Sequence, residues 1–252
     1  MPHHLDERVR ASIACLDRTL PSIEANLALD EALLIATEER GAGPVLRVWE
    51  SPALAVVLGA SSRLHEDVEV DLCRAEGVAV ARRSSGGGTV LIGPGALNVT
   101  VVLPADAAPG LTAVDTSQAF VLERMAGALR QAGPLVRVQG SGDLTLADRK
   151  FAGSAQRRLR HHFFVHVSVL YEFPIAPIAR YMRLPRRQPA YRAGRSHEDF
   201  LTNLPLSRSV LLDCVRAAWF PSDPAPAREV LDDLVDELVR TRYGDPGWVS
   251  RL

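Results

Sequence analysis

Lysine is almost absent from this chain. Of 29 basic residues 28 are arginine and one is lysine, Lys150. Cysteine is nearly as scarce: Cys15, Cys73 and Cys214 lie far apart, with no CxxC or Cys/His ligand spacing. That argues against a zinc site or a disulfide framework and suits a reducing, cytoplasmic setting. No apolar run approaches the roughly 18 residues that span a bilayer, and the start, MPHHLDERVR, is charged where a signal peptide needs an apolar stretch. A soluble protein with no membrane partner is expected. The formal net charge is −1, so no global field draws the chain to nucleic acid. The glycine-rich stretches lack the Gly-Lys-Ser/Thr of a Walker A loop and the G-x-G-x-x-G of a dinucleotide site.

Hydrophobic periodicity then gives the organisation. IEANLALDEALLIATEER, with Ser22 as N-cap and Gly41 as stop, predicts a helix. Val45–Trp49, Ala53–Gly59, Val78–Ala81, Thr89–Ile92, Leu97–Leu103, Val136–Gln139 and Phe164–Phe173 predict strands. A short helix near 71–76, a long one over TSQAFVLERMAGALRQA and two in the last third, separated by a Pro-rich break at 221–226, complete the list. Strands concentrate before Phe173, so the expected class is α+β, with one mixed or antiparallel sheet flanked by helices. The domain reading is an N-terminal extension over 1–20, expected to be loose, a main domain over 21–222 and a helical appendage over 223–252.

Two segments carry chemistry. Arg82, Arg83, Ser84, Ser85, Gly86, Gly87, Gly88 and Thr89 lie between predicted strands, where three glycines are costly unless main-chain N–H groups must approach an anion closely. A structural hairpin is the competing explanation. The second segment runs from Gly140 through Asp143 to Lys150, Gly153, Ser154, Ala155, Gln156 and Arg157. A lone lysine amid such an arginine bias suits a compact ammonium placed against phosphate or carboxylate, which a rigid guanidinium fork fits less well. Three histidines follow, His161, His162 and His166. His166 and Ser168 share one face of a predicted strand.

The order RRSSGGG, GxxDL, DRKxxGSAQR and a downstream His on a strand, with the NLALDE helix ahead of them, resembles the lipoate–protein ligase A family within the biotin/lipoate ligase superfamily. The resemblance implies a class II synthetase-like, biotin-ligase-like catalytic domain. It implies lipoate or octanoate activated by ATP, with Mg2+ carried on the nucleotide, as an acyl-adenylate. The acceptor would be a lysine of a lipoyl domain, in a 2-oxoacid dehydrogenase E2 or glycine cleavage H protein. By position, Lys150 would be catalytic; Arg82, Ser84 and the glycines would line the acyl and phosphate groups; Asp143 would help seat the nucleotide or its metal. Gly153–Gln156 would form the adjoining wall, and His166 would sit beside the acyl carbonyl, with Asn98 and Ser168 nearby. No protein-held metal is expected. The chain departs from the family pattern at Gly142, often asparagine, at His166-Val167-Ser168, usually His-Gly-Thr, and across Leu91–Asn98. The final helix is too little to replace the accessory domain many ligases carry, so the expectation is a chain that acts alone, works with a separate accessory subunit or does only part of the reaction. Two alternatives stand beside the ligase: an ATP-independent octanoyl- or lipoyl-transferase, which needs a thiolate that none of the cysteines obviously supplies, and a non-catalytic binding protein. The six arginines within Arg180–Arg195 suggest a docking surface for an acidic lipoyl domain, a solvated loop being the plainer explanation.

Overall fold

The computed structural model describes residues 5–221 and 228–252. In chain order the elements are α1 (Glu7–Ser12), β1 (Ala14–Asp17), α2 (Ile23–Arg40), β2 (Val45–Glu50), β3 (Ala55–Leu58), α3 (Leu64–Asp67), α4 (Val70–Ala75), β4 (Ala79–Arg82), β5 (Val90–Ile92), β6 (Ala96–Pro104), α5 (Val114–Gln131), β7 (Val136–Gln139), β8 (Asp143–Leu146), β9 (Arg149–Arg158), β10 (His162–Leu170), α6 (Ala176–Tyr181), α7 (His197–Phe200), α8 (Arg208–Trp219), α9 (Arg228–Leu238) and α10 (Pro246–Ser250). The strands form a mixed seven-stranded sheet, β1-β2-β6-β10-β9-β8-β7, and a separate three-stranded sheet, β4-β3-β5. The expected α+β class holds, with two sheets in place of one.

Leu97, Val99, Val101 and Leu103 of β6 alternate onto one face of the large sheet with Phe163, Val165 and Val167 of β10, where α5 and α8 cover them. The opposite face carries Val45, Trp49, Val102 and Phe164 under α2 and α9. Helix α2 is buried along most of its length, as its nearly all-round apolar sequence requires. Ser22 caps it by accepting from Ala25 N, and Gly41 ends it at φ +68°, as the sequence indicated.

One local reading is corrected, and one segment without an assigned element gains one. The extension expected to be loose is tied down: β1 pairs in parallel with β2, because Ile13 and Leu16 are fully buried in the two cores. The glycine-spaced stretch around Lys150 is a hairpin, β8–β9. Its turn, Ala147–Asp148, has φ of 43° and 65°, positions where glycine or asparagine is the usual signal. The helix read over the last segment is described from Arg228; Ala227, the break at 222–226 and the boundary at 222/223 lie outside the described residues.

Candidate active site

Strand register places the candidate residues in rows across the α2-facing side of the large sheet. One row runs Trp49–Asn98–Ser168–Gly153–Asp143, and the next runs Arg47–Thr100–His166–Ala155. Lys150 would not share this face in a regular strand. Between β8 and β9 the register slips, with Leu144 opposite Ala152 and Thr145 opposite Lys150, so Phe151 is an extra residue. Such a bulge re-aims the side chains beside it. Lys150 therefore lies over Gly153, where an added Cβ would sit 2.7 Å from Nζ.

Asp143 holds that ammonium at 2.6 Å through Oδ1, the pair being 26% and 13% exposed. Tyr191 donates its hydroxyl to Oδ2 at 2.7 Å. Burial and the Asp143 carboxylate push the Tyr191 phenol well above its ordinary value. The main chain of Lys150 is pinned by Thr202 N, 2.9 Å from its carbonyl.

The glycine-rich loop leaves β4, in the small sheet, and reaches the large one. Gly86 N donates to Gln156 O at 3.4 Å, and Ser85 Oγ lies 2.7 Å from His166 Nε2. The fold demands glycine at some positions here and not at others. Gly87 has φ +81°, and a Cβ there would sit 2.9 Å from Arg83 Nη2, whereas Gly86 and Gly88 have nothing within 4 Å of an added Cβ and no positive φ. Their missing side chains leave open space in front of the main chain, the condition for close approach of a ligand.

The two arginines of the loop do not face that space. Arg82, 0% exposed, spends its guanidinium on carbonyls: Nη1 on Gly59 and Ser62, Nε on Trp248 and Val249, Nη2 on Val249 at 2.7 Å. Arg83 donates to Ser85 Oγ and to the carbonyls of Val57, Gly86 and Gly88. Burial lowers it to about 10. The reading of Arg82 as a group lining acyl or phosphate oxygens is therefore corrected: its N–H groups are already taken by main chain. Ser84 meets the Tyr243 hydroxyl, which itself donates to Glu31. Thr89 Oγ1 donates to Asp67 at 2.8 Å.

Gly153–Gln156 is not one wall. Gly153 and Ala155 face α2, but Ser154 and Gln156 face α5, where Gln118 donates to Ser154 Oγ and Ser117 to Gln156 Oε1. His161 and His162 are also elsewhere, both held by Glu38. Ser168 donates to Asn98 Oδ1 at 2.7 Å, so those two sit together on the site face. Of the Arg180–Arg195 group, Arg180, Arg183 and Arg186 pair with Glu76, Glu69 and Glu66. Arg192 and Arg195 stack on Phe200, so most of this charge ties a loop to α3, α4 and α7.

Sequence reasoning missed Asp30, Arg47 and Tyr191. Asp30 of α2 is fully buried, ion-paired to Arg47 Nη1, and faces His166 Nδ1 at 3.5 Å. Burial raises its carboxyl, but Arg47, His166 and Thr100 together hold it below the ordinary carboxylate value. The available signal was a carboxylate on the apolar face of the NLALDE helix. Tyr191 carried no signal, since its loop has no periodicity.

The architecture is that of a lipoate ligase catalytic domain. The bipartite lipoate protein ligase of Thermoplasma acidophilum superimposes with a TM-score of 0.82 at 20% identity, over 96% of this chain and 98% of that one. The chain belongs to the family of the lipoyl protein ligase A/B catalytic domain, whose profile matches residues 22–218. Similar proteins include a putative lipoate-protein ligase A of Aeropyrum pernix, 33% identical over 58% of this chain and about half (52%) of that protein's length. An octanoyl-[GcvH]:protein N-octanoyltransferase of Geobacillus kaustophilus is 29% identical over 75% of this chain and 70% of its own. Octanoyltransferase LipM of Symbiobacterium thermophilum is 26% identical over 90% and 93%. The family thus contains ligases and transferases, both enzymes.

Proposed function

We propose that the chain is an ATP-dependent lipoate or octanoate protein ligase, which activates the carboxylate as an acyl-adenylate and passes it to a lysine of a lipoyl domain. One observation carries the choice over the transferase: among the described residues no thiol lies on the face that bears Lys150, Asp143 and the glycine loop. Cys214 is on α8, behind the opposite face of the sheet, and Cys73 is in α4. Burial pushes both thiols up, the wrong direction for a nucleophile. Cys15 is on the edge strand β1.

On this reading the Gly88 N–H and the Lys150 ammonium stabilise the charge that builds on phosphate and carbonyl oxygens, while Gly86, whose N–H is given to the Gln156 carbonyl, contributes open space. The acceptor is the E2 or H-protein lipoyl domain that the T. acidophilum and GcvH-named relatives suggest, and an accessory subunit remains part of the proposal. The donors present do not fit a protein-held Mg2+: both oxygens of Asp143 are engaged, so the ion would arrive on the triphosphate.

The transferase is the second reading, favoured by two relatives of that name that match most of this chain. Lipoate- or octanoate-dependent ATP–pyrophosphate exchange separates the two. Exchange in the wild type supports the ligase; its absence, with octanoyl transfer from a carrier thioester, removes it.

A further inference from the structure

We propose that Asp30, His166 and Ser85 form a proton relay that deprotonates the acceptor lysine, freeing its amine to attack the activated acyl carbonyl. The proposal rests on the reading above only in requiring a lysine acceptor, which ligase and transferase share.

The hydrogen bonds assign the protons. Arg83 Nε–H can only donate, and it donates to Ser85 Oγ at 3.0 Å. The Ser85 oxygen can accept a second time, so the tautomer is set at the other ring nitrogen: the Asp30 carboxylate can only accept and faces Nδ1, which keeps the imidazole proton there and makes Ser85 the donor to His166 Nε2, 2.7 Å away. Nε2 then carries the lone pair and Nδ1 the proton, facing Asp30 Oδ2 at 3.5 Å. Asp30 Oδ1 is occupied by Arg47, while Oδ2 is buried with no hydrogen-bond partner. A buried carboxylate oxygen left short of a donor is a ready acceptor for a strengthened Nδ1–H bond once the imidazole is protonated. This is the wiring of hydroxyl, imidazole and carboxylate by which serine hydrolases move a proton.

The other carboxylates near the site are committed. Asp143 is held by Lys150 and Tyr191, and Glu31 by Arg157, Arg242 and Tyr243. The charged groups around His166 are Asp30 from α2, Arg47 behind it on β2, Arg83 from the loop and the Arg157–Glu31 pair one position along β9. Burial, reinforced by Arg83 and opposed by Asp30, lowers the imidazole below its ordinary value. It is thus neutral when the amine arrives, as a base must be.

The step balances as follows. The lysine ammonium gives one proton to Ser85 Oγ, whose own proton passes to His166 Nε2. The neutral nitrogen attacks the acyl carbon, the C–N bond forms, and the C–O bond to AMP breaks (C–S for a thioester). The second nitrogen proton leaves with the departing group or to water, and the imidazolium releases its proton to solvent between turnovers.

The test is single-turnover transfer from synthetic octanoyl-AMP to a purified lipoyl domain, followed from pH 6 to 10. A lysine amine, with a pKa of about 10.4, is only about one part in a thousand neutral at pH 7.4. Wild-type transfer is expected to be nearly flat above pH 7. His166→Gln should be slower by about 100-fold at pH 7.4, the size of a general-base contribution, and recover about tenfold per pH unit as the free amine appears. Ser85→Ala, a one-atom deletion, should give the same steepened profile and carries the test should His166→Gln fail to fold. A profile of unchanged shape in both variants or an octanoyl-Ser85 adduct in the wild type overturns the relay. If the wild type accepts octanoyl only from a carrier thioester, the ligase reading fails instead, and the same variant-to-wild-type profile with that donor decides the relay.

Discussion

Two cationic regions border the candidate site, and the fold treats them in opposite ways. At the glycine loop the guanidiniums of Arg82 and Arg83 are sealed inside and donate to main-chain carbonyls. Across the sheet face the Lys150 ammonium is a quarter exposed and held by one carboxylate. An arginine fork can satisfy several carbonyls at once and so stitches loops together; a lysine so placed has donors left for a ligand. Arg82 is a stitch of this kind. It fastens Gly59–Ser62 to Trp248–Val249, and Trp248 Nε1 returns a bond to the Arg82 carbonyl. The C-terminal helix is thereby bound to the base of the glycine loop.

If that contrast is right, Arg82→Met should act on stability. It leaves several buried carbonyls unpaired at about 1–3 kcal/mol each, so a loss of about 3–5 kcal/mol is expected as a lower urea midpoint, with faster proteolysis near residue 244. Lys150→Arg should do the reverse. Exchange activity falls about 10²–10³-fold, the scale of one lost charge-stabilising donor, while the urea midpoint stays within about 1 kcal/mol of wild type, as for a part-exposed pair. Full activity in Lys150→Arg would erase the contrast. The glycines sharpen it further. Gly86→Ala and Gly88→Ala should keep wild-type stability and raise the KM for ATP or the acyl substrate about tenfold. Gly87→Ala should also cost about 1–2 kcal/mol of stability, because its φ is positive and Arg83 is in the way.

The long helices α2, α5, α8 and α9, the strands with clear alternation and the two segments of the candidate site were legible in the sequence because each has a local cause: a cap, a period, a run of glycines; the short helices α1, α3, α6, α7 and α10 have too few residues to show a period. What was not legible depends on register. Ser154 and Gln156 follow Gly153 in sequence but face α5, and Lys150 joins Gly153 only through the bulge at Phe151. The β8–β9 hairpin was hidden because Ala147 and Asp148 adopt positive φ without a glycine. Arg82 read as an anion contact because its partners, Trp248 and Val249, lie about 166 residues away in sequence. The N-terminal residues looked loose because β1 is only four residues long and its partner is β2.

The smallest expected effect tests the neutral state of His166. Its folded-state value is lowered by burial, and that of His197 is lowered likewise, with Arg192 and Lys150 adding to the burial effect. Between each lowered value and the unfolded value near 6.5, the unfolded chain binds a proton that the native state does not. Stability therefore rises with pH up to about 6.5 and is lost as pH falls below it. The depressed carboxylates, Asp30 and Glu38 among them, have the same sign but act below about pH 4.5, leaving pH 5.5–7.5 to the histidines. Urea midpoints should fall between pH 7.5 and 5.5 by less than about 1.4 kcal/mol per pH unit for each group. His166→Gln should flatten that slope and His197→Gln should flatten the remainder. A midpoint that rises on acidification, and does so only while His166 is present, would mean that the folded protein holds an imidazolium against Asp30. Nε2 would then have no lone pair for an incoming proton.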